Sequence, residues 1–331
     1  MKRLGILILV VGLHTDLFGQ GIPTVLQKYR HLAFFSPAMT GVNNFVDINI
    51  GQGVQPLASG QSASSTLISA YYSTREHGHG QNNSIRGSGT ETMDDFYANR
   101  NQKSNNKMGF GTAIYTESLG ALTSTYNSNS FATHIPIANH TYLALGLAVG
   151  FNSIGFNVDE LRVRTPGDAV YDAYVASGGG NTSLHIDAGL GVTSNDYYFA
   201  IGVNNIANQR ISGSNELDFS NPLISNLIGG YRFFHSHSFE AIAVTAVTLR
   251  ADLPTLWNFG VRGRINEIVM VGMNFTSDKS ILAQLGFQIN DYLNFGYTFS
   301  ATSGSNVPVT SSHEFGLGIR FLNNNNYAPI W

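Results

Sequence analysis

Large apolar residues alternate with small or polar ones in short segments along most of this chain. The clearest stretch runs from Tyr142 to Phe151. There Leu143, Leu145, Leu147, Val149 and Phe151 share one parity, and Ala144, Gly146, Ala148 and Gly150 share the other. Side chains of a strand point alternately to its two faces, so the pattern makes a wall that is apolar on one side and small on the other. The alternation persists to the end of the chain, at Phe315, Leu317, Ile319 and Phe321. Such a wall, repeated and closed on itself, suits a bilayer outside and a crowded or watery lumen inside.

Fourteen segments carry this signal: 44–54, 65–73, 107–117, 126–138, 140–152, 182–193, 197–205, 223–234, 238–250, 255–265, 268–275, 281–288, 292–301 and 313–322. Most have the length of a tilted strand crossing hydrocarbon, about 9–11 residues. After the fourth, sixth, eighth, tenth and twelfth segments the links are tiny: Asn139, Asn195-Asp196, His235-Ser236-His237, Asn266-Glu267 and Asn290-Asp291. Asn and Asp tolerate the left-handed backbone of tight hairpins. Longer links fall on the other side, at 157–181, 206–221 and 302–312. Short turns on one side and long loops on the other are the asymmetry of outer-membrane barrels, and an even strand number returns both termini to the periplasm. The expected fold is all-β, an antiparallel transmembrane barrel of the bacterial outer membrane over residues 44–322.

Other segments stand outside this scheme. Residues 74–106, rich in Asn, Gly, Gln and Arg, fall where a short periplasmic turn belongs and read as a flexible periplasmic insertion. Residues 20–43 precede the barrel, and Ser36-Pro37-Ala38 stops any helix there. Because its polar backbone cannot face lipid, this segment is expected to fold into the lumen as a plug. A short tail, 323–331, follows the last strand.

The chain opens with Lys2 and Arg3, an apolar run from Leu4 to Leu13, and Leu17-Phe18-Gly19 as a cleavage region. Residues 1–19 therefore read as a secretion signal, with an apolar run too short to span a membrane. Nothing later is long and apolar enough for a spanning helix, which excludes a helical membrane protein. Charged residues make up 12% of the chain, half the usual share, and a net charge of −3 offers nucleic acid no attractive field. The absence of Cys excludes a disulfide scaffold and a cysteine-linked lipid anchor.

Candidate chemistry is thin. Ser128, His134 and Asp159 could be drawn as a triad, but no nucleophile elbow surrounds any serine. His77 with His79, and His235 with His237, have the spacing of one strand face, whereas a stable metal site wants three or four ligands. We therefore expect no enzyme, no cofactor and no metal. The aromatics Tyr197, Tyr198, Tyr231, Phe233, Phe234, Tyr292, Phe295, Tyr297 and Phe321 cluster near strand ends and read as interfacial girdles. Few lumen charges are expected, Glu240, Arg250, Glu314 and Arg320 among them. That favours an anchor over a pore, with a porin-like channel or transporter for a small or hydrophobic solute as the alternative.

Three patches resemble the PorP/SprF family of Bacteroidetes outer-membrane proteins. Phe34-Phe35-Ser36-Pro37-Ala38-Met39-Thr40-Gly41 is similar to the family's Asn-Pro-Ala-x-x-Gly entry, with Ser36 in place of Asn. His185 to Gly191 followed by Tyr197 to Asn205 is similar to its mid-barrel hairpin. The third patch spans Gly263 to Phe321, including Phe295-Gly296-Tyr297 and Ser312-His313-Glu314-Phe315. The resemblance implies a non-enzymatic barrel of the type IX secretion and gliding motility system. It would hold or help export a secreted adhesin through that partner's C-terminal domain, with periplasmic secretion or motility components as further partners. Exposed candidates for this contact are Arg162, Arg164, Tyr171 and Tyr174 in the 157–181 loop and Arg210 in the 206–221 loop. Tyr and Arg are common interface anchors. Ser36, Pro37, Ala38 and Gly41 form the plug motif.

Overall fold

The computed structural model describes residues 27–43, 46–56, 62–74, 106–138, 141–157, 171–172, 175, 180–213, 222–236, 238–251, 253–290, 292–304 and 307–321. Fourteen antiparallel strands follow one another around a closed barrel. They are β1 (Val46–Pro56), β2 (Ser62–Ser73), β3 (Lys107–Leu119), β4 (Leu122–Ala138), β5 (Thr141–Phe156), β6 (Gly180–Thr193) and β7 (Tyr197–Ser212). The second half comprises β8 (Ile224–His235), β9 (Phe239–Arg250), β10 (Leu253–Ile265), β11 (Val269–Thr276), β12 (Ser280–Gln288), β13 (Leu293–Gly304) and β14 (Val307–Phe321). Closure is made by β1 on β14, in register from Val46↔Phe321 to Val54↔His313. Both ends of the barrel chain therefore lie at one rim, the terminal end; the opposite rim is the loop end.

Every strand foreseen from the alternation is present, and the differences lie at the loop end. β7 continues to Ser212, and β14 starts at Val307. Most of the expected 302–312 loop is therefore strand, as the end of β13 to Gly304 and the start of β14 from Val307; its Ser, Thr and Val residues include none of the Leu, Ile or aromatic side chains that advertise a lipid-facing strand. The expected signal segment 1–19 and tail 323–331 lie outside the described residues, as do residues 75–105 of the expected insertion 74–106.

The alternation has the expected sense. Leu145, Leu147, Val149 and Phe151 face outward while Ala144, Gly146, Ala148 and Gly150 are buried within. Around the wall the outward positions include Ile68, Phe110, Ile114, Phe199, Phe259, Met273 and Phe315, all exposed. A soluble monomer rarely exposes a contiguous apolar patch beyond a few hundred Å², so a continuous apolar band requires lipid. Tyr197, Tyr231, Phe233, Phe234, Tyr292 and Phe321 stand exposed at the terminal rim, as a girdle should. Tyr198 does not belong with them. It is 4% exposed and points into the lumen, since its neighbour Tyr197 takes the outward parity.

Candidate functional site

The interior is occupied. A 3-10 turn (Lys28–Arg30), one helical turn (Leu32–Phe35) and a second 3-10 turn (Pro37–Met39) run inside the barrel. The wall side chains that this segment bonds (Ser69, Lys107, Ser130, His134, Asn294 and Glu314) all have the inward parity. The Ser36 hydroxyl donates to the Ile201 carbonyl at 3.0 Å, and the Thr40 hydroxyl donates to Ser130 Oγ at 2.8 Å. His134 Nε2 lies 2.8 Å from the Thr40 carbonyl, and the Lys107 ammonium donates to the Val42 carbonyl at 2.6 Å. The segment also bonds β13 and β14: the Gln27 backbone N–H donates to Glu314 Oε1 at 3.0 Å, and Arg30 Nη1 donates to Asn294 Oδ1.

Glycines of the wall make this approach possible. Gly146, Gly189 and Gly202 are cross-strand neighbours on β5, β6 and β7. A Cβ on Gly146 would lie 2.2 Å from the Pro37 carbonyl carbon, one on Gly189 2.6 Å from Ser36 Oγ, and one on Gly202 2.1 Å from the Phe35 carbonyl oxygen. Ser36, Pro37 and Ala38 thus rest on a shelf without side chains. Gly41 has φ +66°, and a Cβ there would meet Gly109 of β3 at 2.5 Å, so position 41 needs glycine both for its backbone and for its contact. Gly296, Gly316 and Gly318 form a second row that admits the Arg30 guanidinium.

Apolar packing fills the space between. Leu32, Ala33, Met39 and Val42 join Tyr71, Tyr198, Ile228, Ile242 and Met270 of the wall in one buried cluster. Phe34 and Phe35 pack beside Leu67, Ala113 and Tyr115 in another.

The inner wall also carries more ionisable groups than Glu240, Arg250, Glu314 and Arg320. Lys107, Asp187, Arg232 and Arg262 are buried there as well. The expectation of a lumen with few charges is corrected on this point: single charged residues scattered among Gly, Asn and Ser give no local pattern, and only the barrel gathers them. Several are bonded to one another. Arg264 Nη2 donates to Glu240 Oε2 at 2.7 Å, and His235 Nδ1 lies 2.8 Å from Glu240 Oε1. Asp187 accepts from the Tyr126 hydroxyl at 2.6 Å and from the Asn205 amide N–H at 2.8 Å, and lies 3.1 Å from His185 Nδ1. Asn205 has φ +60° at a register shift between β6 and β7, so this carboxylate holds a bulge in the wall.

The loop-end residues proposed for partner contact distribute unevenly. Arg210 is not in a loop; it stands exposed on the β7 extension opposite Ser183. Tyr171 sits half-buried in a helical turn, while Arg162, Arg164 and Tyr174 lie outside the described residues. Ser128 and His134 share the inward face of β4, six residues apart, so about 20 Å of strand separates them and no triad is assembled. His77, His79 and His237 lie outside the described residues.

A closed antiparallel barrel with an apolar outer band defines a bacterial outer-membrane protein. The chain belongs to the PorP/SprF family: the model for type IX secretion system membrane protein PorP/SprF matches residues 19–319. A comparison with curated proteins gives no match. Among solved structures, the Pseudomonas putida toluene transporter TodX aligns with TM-score 0.48 and 8% identity, covering 91% of this chain and 94% of its own. The CymD monoaromatic hydrocarbon channel aligns with TM-score 0.49 and 11% identity, over 92% and 94%. The Acinetobacter baumannii outer membrane protein Omp33 aligns with TM-score 0.45 and 8% identity, over 85% and 100%. Scores at this level carry no argument about what this chain does.

Proposed function

We propose that this chain is a non-enzymatic barrel of the type IX secretion system that holds a secreted adhesin, through its C-terminal domain, at the cell surface. The observation that carries this reading is the lumen filled by residues 27–43, which are packed on glycine shelves and bonded to at least six strands. A barrel whose interior is spent on its own chain offers its rim, not its bore, to partners. In this reading the segment is a plug, the terminal end is periplasmic, and the partner binds at the loop end. The 157–179 connection with Tyr171, and the β7 extension with Arg210, supply contacts there.

Deletion of 165–179 is expected to release the adhesin into the medium while the barrel stays folded. Unchanged retention would refute the loop-end contact. The second reading, a transporter, draws support from the charged groups on the inner wall. Steady ion conductance of the purified barrel in planar bilayers would favour it and sink the anchor.

A further inference from the structure

Most strands carry the apolar band without a break, but β1 to β4 interrupt it. Asn129 of β4 has the outward parity and is exposed, as is Thr112 opposite it on β3. On its other side Asn129 pairs with Val149, inside the lipid-facing run of β5. Ile114, Phe131 and Val149, 40–48% exposed, frame it, so this amide stands within the apolar band rather than above it. Gln52 of β1 repeats the situation. It is exposed between Ile50 and Val54 on the outward face, with Phe315 and Thr66 as its cross-strand neighbours.

The wall satisfies these groups only in part. The Thr112 hydroxyl donates to Asn129 Oδ1, and Asn129 Nδ2 donates to Asn127 Oδ1, both at 3.0 Å. The Thr66 hydroxyl donates to Gln52 Oε1 at 2.7 Å, and Gln52 Nε2 donates to the Gly53 carbonyl at 3.3 Å. A side-chain amide has two donor and two acceptor sites, so these bonds use half of what Asn129 and Gln52 can make. Hydrocarbon offers nothing to the other half, and leaving it unmet is costly.

The chemistry of the face selects what covers it. No outward position of β1 to β4 is Asp, Glu, Lys or Arg, so the face holds no cation for a headgroup phosphate and no charge for an oppositely charged protein. Asn, Gln and Thr each carry both a donor and an acceptor, which makes the face complementary to itself. A two-fold axis along the membrane normal sets it against its own copy with both barrels in the same orientation. Between membrane segments, where lipid is as apolar as the protein, polar side chains and close packing supply the association.

We propose that the outer face of β1 to β4 is a lateral interface with a second copy of this chain. Hydrogen bonds from Asn129, Thr112 and Gln52 cross the two-fold axis, and Ile114 and Phe131 pack around them.

The chain contains no Cys, so an introduced one is unique. Ala70 lies within the face, between Ile48 and Thr112, and A70C removes none of its polar groups. In phosphatidylcholine vesicles at low protein density, a short bis-maleimide should join the full-length A70C chain into a dimer. The F259C chain, altered at an exposed position of β10 across the barrel, should stay monomeric. In mild detergent the parent should sediment as a dimer. N129L combined with Q52L should raise its dissociation constant about tenfold or more, while the barrel still migrates as folded on an unheated gel. The cross-link uses a chain with every polar group of the face intact, so it decides the matter even if the double variant fails to assemble. Equal cross-linking of A70C and F259C would overturn the interface. So would a monomeric parent, whose amides would then meet headgroups or another protein, or a dimer equally tight in the folded double variant.

Discussion

Adding two methyl groups to the glycine shelf should loosen the luminal segment without unfolding the barrel. In G146A the new Cβ would sit 2.2–2.4 Å from the backbone of Pro37 and Ala38, and in G202A 2.1 Å from the Phe35 carbonyl oxygen. These are backbone atoms, so no side-chain rotation relieves the contact and the segment must retreat. Overpacking of this kind costs about 1–3 kcal/mol per site. The two sites press on the same short stretch, so their effects are not simply additive. Retreat also threatens the Ser36–Ile201 and Thr40–Ser130 hydrogen bonds, worth about 1 kcal/mol each. A total of about 3 kcal/mol raises the released population roughly a hundredfold.

Trypsin provides the assay, because Lys28 and Arg30 lie within the seated segment. Cleavage after them, read by mass spectrometry on barrel that still migrates as folded on an unheated gel, should accelerate sharply in the double variant. G229A is the control: its outward-facing Cβ would make only an ordinary 3.4 Å contact with Thr245. If the double variant is cleaved within about twofold of the parent, the shelf does not seat the segment and the reasoning fails.

Other expectations follow from the same geometry. Leu147→Arg, on the lipid face and 60% exposed in the bare barrel, should cost about 2–4 kcal/mol if it lies near the midplane, measured by refolding in lipid vesicles. Asp187→Ala strands the Asn205 N–H and leaves the Tyr126 hydroxyl and His185 Nδ1 only each other, at 3.2 Å; a loss of about 1–3 kcal/mol is expected, with faster hydrogen exchange along β7 beyond the bulge. Burial, and secondarily the charge of Arg30, lowers the His31 pKa from 6.5 to about 3. The released segment therefore binds a proton that the seated one refuses, and seating should weaken as pH falls from about 6.5 toward 3. Tryptic cleavage cannot be followed at low pH, so pepsin should be used there, and His31→Asn should flatten the dependence.

Strand number, facing and the terminal-end turns were legible in the sequence because each is a local property. Period-two alternation at 141–152 names the lipid face without reference to any other strand, and Asn266-Glu267 marks its hairpin by backbone preference alone; both residues have positive φ. The Ser36-Pro37-Ala38 stretch could be seen to be unfit for lipid from its own residues. Its seat could not, since Gly146, Gly189 and Gly202 lie on three strands, and only their register turns three ordinary glycines into one shelf. The loop-end limits were also hidden: β14 begins at Val307 in residues with little apolar signal, held there by pairing with β13. Tyr198 read as a girdle residue because aromatic type was visible and parity at the strand's first two residues was not. The lumen charges show the same limit most plainly. Arg30, Arg264 and Arg320 lie far apart along the chain, and only barrel closure with the luminal segment seated inside brings them to line one cavity.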